Sequence, residues 1–344
     1  MLLAELSEVH QFTLVDAQPL KDPGPGEIQV AIKAIGICGS DLHHFSEGGI
    51  GDTPCVYPMV LGHEPAGEVL KTGTGVSGWA TGDRAVLEPA LYCYHCEFCL
   101  TGHHNVCANL RFLSVGDDPG FFRERVNLPA HNLLPLPRNM SFSEGTIVEP
   151  LAVALHSMEF AQIRPGDTAL VFGAGPIGLL TVAVAKLCGA SRVWAVDPVA
   201  HRREMARSLG ADAVIDPAQV DPVRQVLTDT GQRGVDVTID CVSKDDTVNQ
   251  SLRATRNAGR VVITGIPAEE FVPLAFHVIR RKEIAFYVVR RSNKDSATAL
   301  EMLKDQPQRF VPILTHERPL SEVQAAFELC EKYRDGVGKF VLAL

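Results

Sequence analysis

The hexapeptide Gly173-Ala174-Gly175-Pro176-Ile177-Gly178 restricts this chain more than any other stretch. Directly ahead of it, Asp167-Thr168-Ala169-Leu170-Val171-Phe172 is a short apolar run entered through Pro165-Gly166, which predicts a buried strand. Directly after it, a stretch from about Leu179 to Leu187 without glycine or proline predicts a helix. A lone G-x-G-x-x-G carries little information, but between a strand and a helix it is the geometry of a dinucleotide-binding turn. Gly173 permits the tight turn, Gly175 lets the backbone approach a pyrophosphate, and Gly178 lets the helix pack on the strand. Pro176 and Ile177 complete the loop, and the helix N-terminus faces the phosphates with partial positive charge.

The following residues extend this pattern. Arg192-Val193-Trp194-Ala195-Val196 predicts a second strand ending at Asp197. That acid falls about twenty residues past the last glycine, where a carboxylate accepts hydrogen bonds from ribose hydroxyls and repels a 2′-phosphate. NAD is therefore expected rather than NADP, although Arg202 and Arg203 nearby are of a type that tolerates the phosphate. Further strands are expected at Ala213–Ile215, Val235–Asp240, Arg260–Gly265 and Ile284–Val289, separated by helical stretches. This alternation predicts an α/β doubly wound parallel sheet, with Thr264, Gly265 and Ile266 at a carboxyl edge, where such sheets bind ligands.

The first half reads differently. Residues 1 to about 35 are β-rich, with Gln29–Ala34 as a strand, and Met59 to Val86 reads as strands joined by glycine turns. Phe121–Val126 predicts a strand ending at Asn127-Leu128-Pro129, and Phe142–Leu151 starts a helix. Cys93-x2-Cys96-x2-Cys99-x7-Cys107 offers four thiolates at a spacing that surrounds one tetrahedral zinc and leaves no open position. An iron–sulfur cluster is the rival reading. A bacterial ferredoxin run, however, continues with three residues, a cysteine and a proline, whereas seven residues and then Ala108 stand here. His95, His103 and His104 are read as solvated loop residues, and Cys55, Cys188, Cys241 and Cys330 as ordinary thiols.

A second metal set is expected from Cys38, His63 and Glu64. Gly36–His44 gathers a thiol (Cys38), a hydroxyl (Ser40), a carboxylate (Asp41) and two imidazoles (His43 and His44), and Gly62-His63-Glu64 adds an imidazole beside a carboxylate. The zinc-protease pattern H-E-x-x-H is excluded, because Gly67 stands at its second histidine and Pro65 breaks a helix there.

Gly62, His63, Glu64, Gly67, Gly73 and Val76 fill every fixed position of G-H-E-x-x-G-x5-G-x2-V, and Cys38, Gly39, Ser40, Asp41 and His43 fill C-G-[ST]-D-x-H. On these residues the chain resembles the zinc-containing medium-chain alcohol dehydrogenases, sorbitol (polyol) and threonine dehydrogenases among them, over essentially its whole length. The resemblance implies a mainly β GroES-like catalytic domain over 1–147 with a structural zinc lobe at 88–110. It implies a Rossmann domain over 148–289 and a return to the catalytic domain over 290–344. It implies two zinc ions per chain. The catalytic one is held by Cys38, His63 and a glutamate, which is Glu64 or Glu149, the latter directly or through water. It further implies a proton path through Ser40 and His43, a ribose contact from Arg202, and a nicotinamide side lined by Val288, Val289 and Arg290, with Arg290 also facing the substrate.

Two departures bear on the substrate. Arg291 stands where sorbitol dehydrogenases carry a tyrosine, and His44 replaces an aromatic hydroxyl residue. Two adjacent arginines suit a carboxylate, as in a sugar acid. The expected activity is oxidation of a secondary alcohol of a polyol or sugar acid. The alternatives are threonine 3-dehydrogenase-like or sugar-alcohol-phosphate chemistry, a zinc-free quinone reductase, and a non-catalytic dinucleotide-binding regulator. A net charge of −9 argues against nucleic-acid binding. The N-terminus lacks a basic start and no apolar run spans a membrane, so a cytoplasmic protein is expected, assembled as a homodimer or homotetramer.

Overall fold

Alternating β-branched runs and glycine turns fold the first part of the chain into antiparallel strands. The computed structural model describes residues 1–51 and 53–344. The backbone divides into two units, one of Met1–Glu149, Ser296–Pro307 and Leu314–Leu344, the other of Pro150–Asp295 and Gln308–Ile313.

In the first unit, strand Glu27–Gly36 is the centre of a seven-stranded sheet. It pairs antiparallel with Glu64–Thr72, with Arg125–Pro129 and with the C-terminal strand Lys339–Ala343. Arg84–Leu87 and Leu133–Pro135 extend one side, and Leu314–Pro319 joins the C-terminal strand in parallel on the other. Ile28, Val30, Ile32 and Ile35 of the central strand all lie in one apolar core. The strand expected at Phe121–Val126 begins only at Arg125 and runs on through Pro129. Phe121 and Phe122 are instead turned wholly into the core, held by backbone hydrogen bonds to Gly62 and Leu61. Burial of two large rings there outweighs the β-propensity of the segment.

A helix not foreseen from sequence, Gly39–Glu47, follows the central strand at once. The Asp41 carboxylate accepts the Cys38 N–H at 3.0 Å, satisfying an otherwise orphaned donor at the start of the helix. Gly48 ends the helix in the left-handed conformation. Phe45 anchors its buried face. Its ring is fully enclosed, with centroids 5.8 Å from Phe12, 5.2 Å from Phe327 and 4.9 Å from His10.

The helix expected from Phe142 is two, Phe142–Gly145 and Val148–Ala161, and the first carries a Ser141–Glu144 capping box. In the second unit six strands lie parallel. Numbered within the unit, their order is 3-2-1-4-5-6, the doubly wound order. The strand at 260–265 starts earlier, at Thr255, and ends at Ile263, and the last runs Ala285–Val288. Val289 still donates its N–H to Ile263 at 2.8 Å, and residues 290–295 belong to this unit rather than to the return, which begins at Ser296. Among the described residues no helix is long and apolar enough to cross a membrane.

Replacing Phe45 with alanine removes the ring that seats the Gly39–Glu47 helix. A loss of about 3–5 kcal/mol of stability is expected, read from urea unfolding of the full chain; an unchanged midpoint contradicts the anchoring role.

Candidate metal and cofactor sites

Three ligand atoms converge at the helix start. Cys38 Sγ, a ring nitrogen of His63 and a carboxylate oxygen of Glu64 lie within 4.8 Å of one another. Chain direction explains the meeting, because Cys38 leaves the end of the central strand while Glu64 opens the strand paired to it, opposite Gly36. Asp41 lies behind this group, fully buried. Besides Cys38 N–H it accepts Gly62 N–H at 3.2 Å and Ser114 Oγ–H at 3.3 Å, and its Oδ1 is 3.4 Å from His63 Nδ1. That leaves the other ring nitrogen of His63 for a metal. Ser40 Oγ is 3.4 Å from His63 Nε2, and half-exposed His43 pairs with Glu47 at 2.9 Å.

The electrostatics of this pocket call for a cation. Burial works against a charged His63, yet Asp41 and Cys38 hold its pKa well above the ordinary imidazole value in the metal-free chain. Neither oxygen of buried Glu64 has an oriented hydrogen bond, although the ammonium of Lys339 stands against it as an ion pair. Lys339 is itself only 1% exposed and donates to Ile37 O at 2.9 Å. Burial disfavours its charge, but Glu64 and Cys38 raise its pKa nonetheless. A lysine inside the apolar strand Lys339–Ala343 was the sequence signal for this residue, and it was missed. Glu149 is buried, and burial together with the charge of Glu64 pushes its carboxyl up to about 7. Its carboxylate is not part of the Cys38–His63–Glu64 cluster. His44 is buried with neither ring nitrogen hydrogen-bonded, and burial lowers its pKa. A thiol, an imidazole and an unsatisfied carboxylate form a donor set that fits zinc.

The four-cysteine lobe is built locally. Sγ–Sγ separations are 4.0 Å for Cys93–Cys99, 3.9 Å for Cys96–Cys107 and 3.4 Å for Cys93–Cys107. These are too long for disulfides and close to the edges, about 3.8 Å, of a tetrahedron with Zn–S bonds of about 2.3 Å. Backbone N–H groups of Cys96 and Asn109 donate to the sulfurs of Cys93 and Cys107. His95 Nδ1 instead bonds Cys93 O at 2.7 Å, His103 stands against Thr101 at 3.3 Å, and His104 packs on Tyr92.

In the second unit the glycine loop has the stereochemistry its sequence demands. Gly173 has φ 83°, and a Cβ on Gly178 would lie 1.8 Å from Gly173 O. Gly175 has open space beside it, the nearest neighbour being an Arg202 guanidinium nitrogen 3.9 Å from where its Cβ would be. The helix begins at Pro176, inside the motif, rather than near Leu179, since proline suits the first helical turn. Asp197 is buried, its carboxylate accepting Ala174 N–H and Val199 N–H at 2.8 Å each. Arg203 is occupied by Asp216 at 3.0 Å. Thr264 bonds Ser157 at 2.9 Å beside Gly265, while Ile266, Val288 and Arg290 are exposed and Val289 is buried. Arg291 sits at φ 54°, a left-handed conformation uncommon for a residue other than glycine.

Residues 24–138 match the alcohol dehydrogenase GroES-like domain family, and residues 176–305 match the zinc-binding dehydrogenase family. The chain is 35% identical to sorbitol dehydrogenase of Homo sapiens, covering 91% of this chain and 88% of that protein. It is 35% identical to L-idonate 5-dehydrogenase of Vitis vinifera, over 89% and 85%. An alcohol dehydrogenase of Escherichia coli CFT073, solved with NADH, superposes with a TM-score of 0.91 at 28% identity, covering 100% and 99%.

Cys96→Ala is expected to cost one zinc per chain and to lower the thermal midpoint, measured by metal analysis and calorimetry on the same sample. A variant matching the parent in both contradicts a structural zinc.

Proposed function

The chain belongs to the zinc-binding alcohol dehydrogenase family, and from that membership we propose that it oxidises a secondary hydroxyl of a polyol or sugar acid to a ketone with NAD. The observation that carries this reading is the convergence of Cys38, His63 and Glu64 within 4.8 Å. Zinc, when bound there, supplies Lewis-acid polarisation of the substrate hydroxyl.

The chain's own residues do the rest. Cys38, His63 and Glu64 hold the ion, and Asp41 fixes the orientation of the His63 ring. Glu149, buried near His63 and Glu64, reaches the ion as a further ligand or through a bound water. Ser40 Oγ takes the hydroxyl proton as it gives up its own, and half-exposed His43 carries the proton on to solvent. Cys93, Cys96, Cys99 and Cys107 hold the second, structural zinc.

In the second unit the loop of Gly173, Gly175, Pro176, Ile177 and Gly178 receives the pyrophosphate, with Arg202 beside Gly175. Asp197 faces the ribose and disfavours a 2′-phosphate. The pairing of Arg203 with Asp216 supports NAD over NADP, because that guanidinium is already engaged. Thr264, Gly265, Ile266, Val288, Val289 and Arg290 serve the nicotinamide end. Arg290 and Arg291 supply the substrate side with guanidinium groups, and buried His44 supplies an imidazole. These departures from a tyrosine-lined polyol site favour a substrate bearing a carboxylate.

A homodimer or homotetramer in the cytoplasm fits the surface. Among the described residues the edge strand Ala285–Val288 pairs on one side only, and Phe271 (79% exposed) and Phe276 (64%) lie in the same unit. Sedimentation at micromolar concentration is expected to give at least twice the chain mass, and a monomer contradicts the assembly.

Activity is tested by NADH formation over polyols, sugar acids, sugar-alcohol phosphates and threonine, with NAD and NADP in parallel. Polyols or sugar acids with NAD are expected to turn over fastest. Cys38→Ala is expected to lose one zinc and at least ~10³-fold in kcat with its far-UV spectrum kept. Full activity in that variant contradicts the site.

A further inference from the structure

The helix Val148–Ala161 leaves one residue exposed, Glu159. One turn earlier His156 is almost fully buried, with Nδ1 2.9 Å from Glu159 Oε2 and 3.8 Å from Asp295 Oδ2. Asp295 comes from a distant part of the chain, directly ahead of the helix Ser296–Asp305, and accepts the Asn293 N–H at 2.7 Å. All three ligand atoms lie within 4.8 Å of one another. Both carboxylates face the His156 ring.

Two carboxylates meet a single imidazole here, so the group carries net negative charge. A divalent ion neutralises both. One imidazole nitrogen with two carboxylate oxygens is a donor set for zinc or manganese. Bonds of about 2.1 Å to such an ion place ligand atoms roughly 3–4 Å apart, close to the separations present. The exposure of Glu159 opens the group to water, which completes the coordination shell.

We propose that His156 Nδ1, Glu159 and Asp295 form a further metal site, distinct from the two zinc sites, that takes an exchangeable divalent transition ion. The ion joins the helix Val148–Ala161 to the segment ahead of Ser296. The chain passes from one unit to the other within that helix, at Glu149 and Pro150, and again at Asp295 and Ser296.

The test is titration of the zinc-loaded full chain with Mn2+ alone, free Mn2+ being followed by electron paramagnetic resonance. The expected result is about one Mn2+ per chain beyond the tightly held zinc, displaced by added Zn2+. Glu159→Gln, on the surface, and Asp295→Asn are each expected to weaken it about tenfold or more, with zinc content and melting temperature kept. No bound Mn2+ in the parent, or equal binding in both variants, overturns the proposal. A Cys38→Ala chain that loses turnover yet still takes up Mn2+ supports it, and separates this site from the catalytic one.

Discussion

A single buried carboxylate organises the metal pocket. Asp41 has no exposed surface, and burying a lone charge costs several kcal/mol unless donors surround it. Here they come from three places, the Cys38 backbone, the Gly62 backbone and the Ser114 hydroxyl, and the His63 ring stands 3.4 Å away as an ion-pair partner. The desolvation penalty is thereby turned into a positional constraint. The helix start, the turn before His63 and the loop carrying Ser114 are fixed relative to one point, so thiol and imidazole are brought together there. Burial would raise this carboxyl's pKa, but His63 and the two backbone donors hold it below its ordinary value.

Around that point the charges do not balance without a metal. Cys38, Glu64, Glu149 and Asp41 gather against His63 and Lys339. The raised pKa values of His63 and Lys339 are two responses to one excess of negative potential, whereas Glu149 is raised by burial first and by the charge of Glu64 after it. A divalent ion relieves it at its source. Lys339 also ties Glu64 to the carbonyl of Ile37, so the C-terminal strand helps to place the carboxylate.

The two zinc sites differ in how far they were legible. The four cysteines lie within fifteen consecutive positions, and their spacing alone nearly dictates that the four sulfurs meet. The glycine loop is equally local. Its positive φ at Gly173 and its close approach at Gly178 are properties of six residues, so motif and geometry coincide. Errors arose where neighbours overrode local preference. The helix Gly39–Glu47 was hidden because its anchor, Phe45, packs on Phe12 and Phe327, which are remote in sequence. Phe121 and Phe122 read as strand but were claimed by the core.

The amino-acid sequence alone determined the dinucleotide turn, the order of strands and helices that follows it, and the four-thiol lobe, because each depends on stereochemistry within a short window. It also supplied Cys38, His63 and Glu64 as a ligand set by pattern. Only tertiary structure decided that Asp41 stands behind His63, that Lys339 opposes Glu64, that Glu149 lies outside the ligand cluster, and that His156 and Glu159 meet Asp295. Those relations depend on burial and on charges brought together from distant segments, and a charge's surroundings exist only once the chain has folded around it.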